Sequence, residues 1–376
     1  MKVVACIIIL GIIVSSCQKE LADPVTTPPQ TGITDSSVIL TRIAAYNYGQ
    51  PDTLTSVFRK NMINGVKGYI VTTTQKLYPH STYITSFGYD NSGHLTTLDY
   101  KDPADPLYYS KVTLTWDQNR ITRIKWDDRS SGSYGMDRSY HYEMINDTLL
   151  ISYAYNVGRD VYLDSFTVNI FAEKNFSKLY RIFTSCDFDF TPRFGEKGAY
   201  YNERIYKYTG NDIASVSFFG ETYFTSPSAP HSYESFDAVF NFTRQQQVNP
   251  ILSDLENDMF GKEFKMLCYH EGQDTVAYFL SDIFDYSGSY NDVPNFGNTS
   301  QYFVQEHSAL GASVAPLLTA TVDYKLATET GTVGQETGYV YVDAAYTLDN
   351  LKRIKTIKRY LPGTNNLLVD YSFSYP

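Results

Sequence analysis

The sequence predicts an all-β protein. The expected form is an antiparallel meander of β-hairpin repeats, curled into a single sheet or a barrel-like shape, with one short helix. Three observations predict it. Aromatics make up 15% of the 376 residues, and Tyr alone outnumbers Lys and Arg together, 34 to 31. Clusters of Asp, Asn and Gly punctuate runs of Tyr, Phe, Thr, Val and Ile, about every ten to twelve residues. One spaced set of apolar residues recurs across those turns. A chain this aromatic and only 19% charged cannot be intrinsically disordered. Ala, Glu, Lys and Leu do not dominate it, which excludes a coiled coil.

The first element, residues 1–16, reads as a signal peptide. Lys2 supplies the positive start, and Val3 to Val14 form an apolar run too short to span a hydrocarbon core of ~30 Å. The run ends in Val14-Ser15-Ser16-Cys17. This ending resembles the bacterial lipoprotein box. The resemblance implies that Cys17 is lipidated and becomes the first residue after cleavage. Gln18-Lys19-Glu20 follow. They resemble the export signal of Bacteroidota lipoproteins, which implies an outer-membrane protein facing the cell exterior, held to the membrane by its lipid.

Residues 17–37 form the lipidated Cys and a tether. Positions 18–37 hold no aromatic and are rich in Thr and Pro. They cannot bury apolar area, and about 20 flexible residues reach roughly 25 Å. Residues 38–376 are read as one β-hairpin-repeat domain, since no shift in composition divides them. Its cysteines are Cys186 and Cys268. An exported compartment permits a disulfide between them, worth up to ~4.5 kcal/mol in the chain-entropy model; two free thiols are the other reading.

Within this domain Trp116, Ile121, Ile124 and Trp126 share their spacing with Tyr208, Ile213, Val216 and Phe218. Tyr346, Leu351 and Ile354 match the first three, and Tyr89, Leu95, Leu98 and Tyr100 match with one extra turn residue. Each copy reads as one hairpin, with the aromatic and the first aliphatic flanking the turn. Ile121 and Ile124 lie three apart, so a regular strand would send them to opposite faces. Either a bulge restores the face or both faces are covered. Tyr89-Asp90-Asn91-Ser92-Gly93-His94-Leu95-Thr96-Thr97-Leu98 resembles the YD repeat of Rhs-type proteins, with Trp116-Asp117 and Tyr346-Thr347 as degenerate copies. Signal, tether and scattered YD-like hairpins together resemble uncharacterised Bacteroidota outer-membrane lipoproteins. That resemblance implies a porin-like antiparallel β domain and no particular activity.

The helix is expected at 250–260, where Ile251, Leu255 and Met259 share a face and Gly261 is a natural stop. It would cover one end of the sheet. Residues 286–300 and 327–338 read as long loops. Lys352, Arg353, Lys355, Lys358 and Arg359, interleaved with Leu351, Ile354 and Ile357, read as the solvated face of a strand.

Chemistry is scarce. The six His are dispersed without metal-ligand spacing, and no nucleophile elbow, zinc helix or phosphate loop occurs. No cofactor and no metal are expected. A net charge of -10 argues against a nucleic-acid partner. Asp187 and Asp189 would stand about 7 Å apart on one strand face, the best acid pair for a hydrolase. The plainer reading makes them a solvent face. The aromatics are the stronger lead, because sugar rings shed water against flat aromatic faces. Trp116, Trp126, Tyr108 and Tyr134 are the candidate platform, though both Trp also hold repeat positions that need packing. The expected function is non-catalytic glycan capture at the cell surface. The alternatives are an assembly subunit for a partner protein and a carboxylate-dependent hydrolase. A transmembrane barrel is disfavoured, since it would need a lipid-facing apolar band.

Overall fold

In a computed structural model the described residues are 37–47, 50–63, 66–75, 81–128, 136–157, 164–190, 196–225, 232–244, 251–269, 317–360 and 363–376. Residues Asp35–Pro376 form one compact unit. The strands are β1 Ser37–Asn47, β2 Gln50–Ile63, β3 Val66–Gln75, β4 Ser81–Tyr89, β5 Leu95–Asp102, β6 Asp105–Asp117, β7 Arg120–Asp128, β8 Met136–Ser139, β9 His141–Ile145 and β10 Thr148–Val157. They continue as β11 Asp164–Glu173, β12 Leu179–Phe190, β13 Glu196–Thr209, β14 Asp212–Thr225, β15 Ser232–Arg244, β16 Leu317–Thr328, β17 Gly331–Leu348, β18 Ile354–Tyr360 and β19 Leu367–Ser374.

All belong to one sheet, and each ladder is antiparallel. β1 pairs with both β2 and β19, so Ile39 faces Val57 on one side and Ser374 on the other. From there next-neighbour pairing runs upward to β8 and downward to β9. Only Tyr140 separates β8 from β9, and its N–H bonds to the Thr122 carbonyl at 2.9 Å. The sheet thus curls into a barrel-like ring whose ladder ends meet at Tyr140. There the chain joins them, so the sheet stays open rather than closing as a hydrogen-bonded barrel.

The recurring apolar spacing has a common geometry. Trp116 faces Ile121 and Thr115 faces Arg123, which leaves Thr122 as an extra residue. The bulge restores the face, and Ile121 and Ile124 are both fully buried. The same one-residue shift follows Leu95, Ile213 and Ile354. A further copy, with Leu179 opposite Ala172 and Ile182 opposite Ile170, escaped the sequence comparison because its turn is longer. One alignment is corrected. The counterpart of Leu95 is Ile354, which faces Leu348, whereas Leu351 is 63% exposed in the turn. The hydrogen bonds explain the shift: Asp349 accepts from Leu351 and Arg353 N–H groups just as Asp90 accepts from Ser92 and His94. Lys352 takes the positive φ of 62° that Gly93 takes at 85°.

A bulge leaves a carbonyl out of the ladder, and the next hairpin satisfies it. Trp116 donates to the Leu95 carbonyl at 2.7 Å, Tyr142 to Ile121 at 2.7 Å and Tyr208 to Leu179 at 3.0 Å. Arg244 donates to Ile213 at 3.0 Å, and Tyr375 to Ile354 at 2.7 Å. This is why the repeat prefers Tyr and Trp, which combine a packing ring with a polar tip. Burial pushes the Tyr208 hydroxyl up to about 12, so it remains a donor at neutral pH. Tyr208→Phe is expected to cost about 1–3 kcal/mol, because it strands the Leu179 N–H and carbonyl together. A denaturant titration checks this; a loss under about 0.5 kcal/mol would show that water replaces the hydroxyl.

The expected helix is present as α1, Ile251–Phe260, but a second follows, α2, Lys262–Tyr269. Gly261, at φ 75°, ends α1 with its N–H on the Asn257 carbonyl, and its own carbonyl opens α2. The glycine stops one helix and starts another, which the spacing alone did not reveal. Met259, Phe260, Phe264 and Leu267 are buried in the same cluster as the strands' inner side chains, so the helices pack on the inner face. Phe260 meets the Phe87 ring at 5.3 Å.

Two carboxylates seat the pair. Asp258 accepts from Lys60 and Lys67, each at 2.9 Å, and from the Tyr69 hydroxyl. Glu263 accepts from the Ile121 N–H at 2.8 Å and lies 2.7 Å from the Tyr142 hydroxyl, whose one proton it shares with the Ile121 carbonyl. Burial works to raise the Asp258 pKa, but Tyr69, Lys67 and Lys60 outweigh it and hold the carboxyl well below the usual range. At Glu263 burial wins and the pKa rises. The signs are opposite. Asp258 stabilises the fold above the unfolded carboxylate pKa of about 4, and that share is lost as pH falls. The share from Glu263 is present below about 4.3 and lost as pH rises through its folded pKa. Melting curves from pH 3 to 8 should show Asp258→Asn converging on wild type in acid. Glu263→Gln should instead gain on wild type as pH rises. Parallel curves for either variant would contradict the assignment.

Two expectations about the last hairpins are corrected. Residues 327–338 are not a long loop: β16 and β17 pair through Ala327 with Thr332 and Thr328 with Gly331. Backbone ladder bonds hold this Gly/Thr-rich stretch, which side-chain propensity undervalues. In β18, Lys355 and Lys358 are exposed, but Arg359 is 1% exposed, over the Tyr371 ring. It lies two residues after Ile357, so strand alternation turns it inward.

The outer face carries charge instead. Arg123 grips Asp137 at 2.6 Å, Lys111 lies 3.9 Å from Asp99, and Lys358 lies 3.9 Å from Asp370.

Candidate functional site

On strands β11 to β15 the outer face changes character. Strand alternation sends Ile182, Asn202 and Phe218 inward and leaves Phe183, Tyr201 and Phe219 outward, half-buried. Phe183 and Tyr201 meet edge-to-face at 4.9 Å, and Tyr201 and Phe219 at 5.9 Å. Tyr223 faces Tyr233 across the β14–β15 ladder, their rings 4.9 Å apart, and Tyr223 is 52% exposed. Phe171 begins the row, with the Arg181 guanidinium 5.5 Å from its ring and 5.9 Å from that of Phe183. At the usual strand separation these five strands make a stripe about 19 Å long.

Polar groups alternate with the rings. Glu203 faces Phe219, and Glu221 faces Tyr201. Arg181 pairs with Glu203, and the Tyr233 hydroxyl donates to Glu221 at 2.8 Å. Ser235 draws the Tyr233 pKa down, but Glu221 and partial burial outweigh it and raise it, so the hydroxyl stays protonated. The arrangement offers apolar ring surface beside carboxylate acceptors and a guanidinium donor. It suits a ligand with C–H faces and many hydroxyls.

The sequence-predicted platform lies elsewhere. Trp126 is 4% exposed and its indole N–H bonds to Ser110, which is a core position. Trp116 is the clamp on Leu95, its ring stacked on His94 at 4.5 Å. Tyr108 lies in β6, but its side chain is outside the described residues, as are Tyr134, Cys17 and the loop at 286–300. Cys186 is buried in β12; the Cys268 side chain is outside the described residues, so their disulfide is too. Asp187 is exposed on β12, and the Asp189 side chain is not described. Among the described residues no group of His, Cys, Asp and Glu could hold a metal ion. The stripe had one sequence signal: aromatics at 183, 201 and 219 are evenly spaced. Without the register that spacing has no meaning.

The chain matches no protein-family model and no curated protein. Among solved structures it is similar to a porin-like protein from Bacteroides vulgatus ATCC 8482. The identity is 13% over 90% of this chain and 97% of that one, with a TM-score of 0.28. It is also similar to a porin-like protein from Bacteroides uniformis ATCC 8492, with 11% identity over 93% and 98% and a TM-score of 0.33.

Proposed function

We propose that this protein is a lipid-anchored, non-catalytic binding module of the outer membrane, facing the cell exterior, that captures glycan chains on the outer aromatic stripe. The observation that carries the reading is the row Phe183, Tyr201 and Phe219, alternating with Glu203 and Glu221 on an otherwise charged face. Rings take the C–H faces of sugars, and the carboxylates accept from their hydroxyls. The charged outer face supports an anchor other than the strands, and Cys17 supplies it.

A glycan array with the lipid-free protein tests this, followed by titration of any hit. Tyr201→Ala, at the centre of the row, should weaken binding about tenfold, the worth of ~1.4 kcal/mol, with the fold intact by circular dichroism. Trp126→Ala should act through stability instead. Binding that survives Tyr201→Ala overturns the site. A folded protein that binds no glycan overturns the function in favour of a protein partner.

A further inference from the structure

We propose that the end of the ring at which β1 begins is a membrane-facing surface, seated on the bilayer that holds the lipid anchor; this rests on Cys17 being lipidated. In an antiparallel ring, successive connections alternate between two ends. One end carries the turns β2–β3, β4–β5, β6–β7, β9–β10, β11–β12, β13–β14 and β17–β18, and both helices lie in the β15–β16 connection at that same end. β1 also starts there. Ser37 pairs with Arg59 near the close of β2, and Ile39 with Ser374 at the end of β19. The roughly 20 residues read as a tether therefore join the fold at this end, and a flexible chain of that length has a mean reach of roughly 25 Å.

That end exposes apolar tips on three hairpins spread round the ring: Met62 at 45%, Met144 and Ile145 at 45% and 42%, and Leu351 at 63%. Three separated points can rest on one plane together. Exposed Asp117, Glu143, Asp147, Lys174 and Lys352, spread over four hairpins, mix the charge there, so the contact is shallow, side chains entering the headgroup layer only. The opposite end exposes Leu107 and Val333 as well. What separates the ends is the point of entry of the anchored chain.

The test uses the full lipidated protein on phosphatidylethanolamine–phosphatidylglycerol vesicles. A polarity-sensitive thiol probe is placed by Leu351→Cys in one variant and by Leu107→Cys in another. The expected result is a blue shift, with quenching by a lipid-borne quencher, at 351 and not at 107. Response at 107 instead, or at neither on vesicle-bound protein, overturns the orientation. Met144→Cys repeats the test should Leu351→Cys disturb its turn. Cys17→Ser is the separate control. If that variant still floats with vesicles, the anchor reading fails whatever the probes report.

Discussion

Phe260→Ala is expected to lower stability by about 3–5 kcal/mol, the cost of emptying a fully enclosed aromatic site. Phe260 is 1% exposed at the end of α1, against Phe87 at 5.3 Å and Phe264 at 6.1 Å. Gly261 follows it, so the site lies where the two helices part and cannot collapse without moving one of them. The polar seat survives the change, since Asp258 keeps Lys60 and Lys67. The loss should therefore appear in the denaturant midpoint while the acid response of Asp258 persists. A cost under about 1 kcal/mol would mean that the helices rest on the rim and are not part of the core.

Ile124→Ala is expected to cost about 2–5 kcal/mol, while Arg123→Ala costs less than about 1. Strict alternation from Ile121 predicts the reverse, with residue 123 inside and 124 outside. The bulge at Thr122 inverts that order. Ile124 is fully buried, and Arg123 is exposed on Asp137. Deleting Thr122 leaves Ile121 and Ile124 two apart and both inward, but it removes the carbonyl that holds the Tyr140 N–H and the bulge that frees the Ile121 carbonyl for Tyr142, so the deletion should cost at least as much as Ile124→Ala. Equilibrium unfolding of the three variants decides it. Equal costs at 123 and 124 would show that both faces are covered.

These results bear on what was legible beforehand. The helix expected at 250–260 was legible because Ile251, Leu255 and Met259 share a face and need no partner to do so. The hairpins were legible because an aromatic, a turn and two aliphatics lie within one short stretch. Leu351 was misplaced because Asp349 reshapes its turn through backbone hydrogen bonds, which apolar spacing does not encode. Arg359 was misplaced because its direction depends on where the strand starts to alternate. Trp126 reads as a ligand platform in the sequence, and lies in the core, because exposure is not a local property.

The sequence by itself determined the class of fold, the repeated hairpin and its aromatic position, since propensity and turn chemistry act within about ten residues. Only the tertiary structure decided which aromatics face out. Phe183, Tyr201 and Phe219 lie on different strands and become neighbours through the β12–β13–β14 register. It also decided that the repeat's Tyr and Trp serve the preceding hairpin, since each bulged carbonyl finds its donor in the next one. Both depend on pairing between residues far apart in the chain, where register converts sequence positions into sides of a sheet.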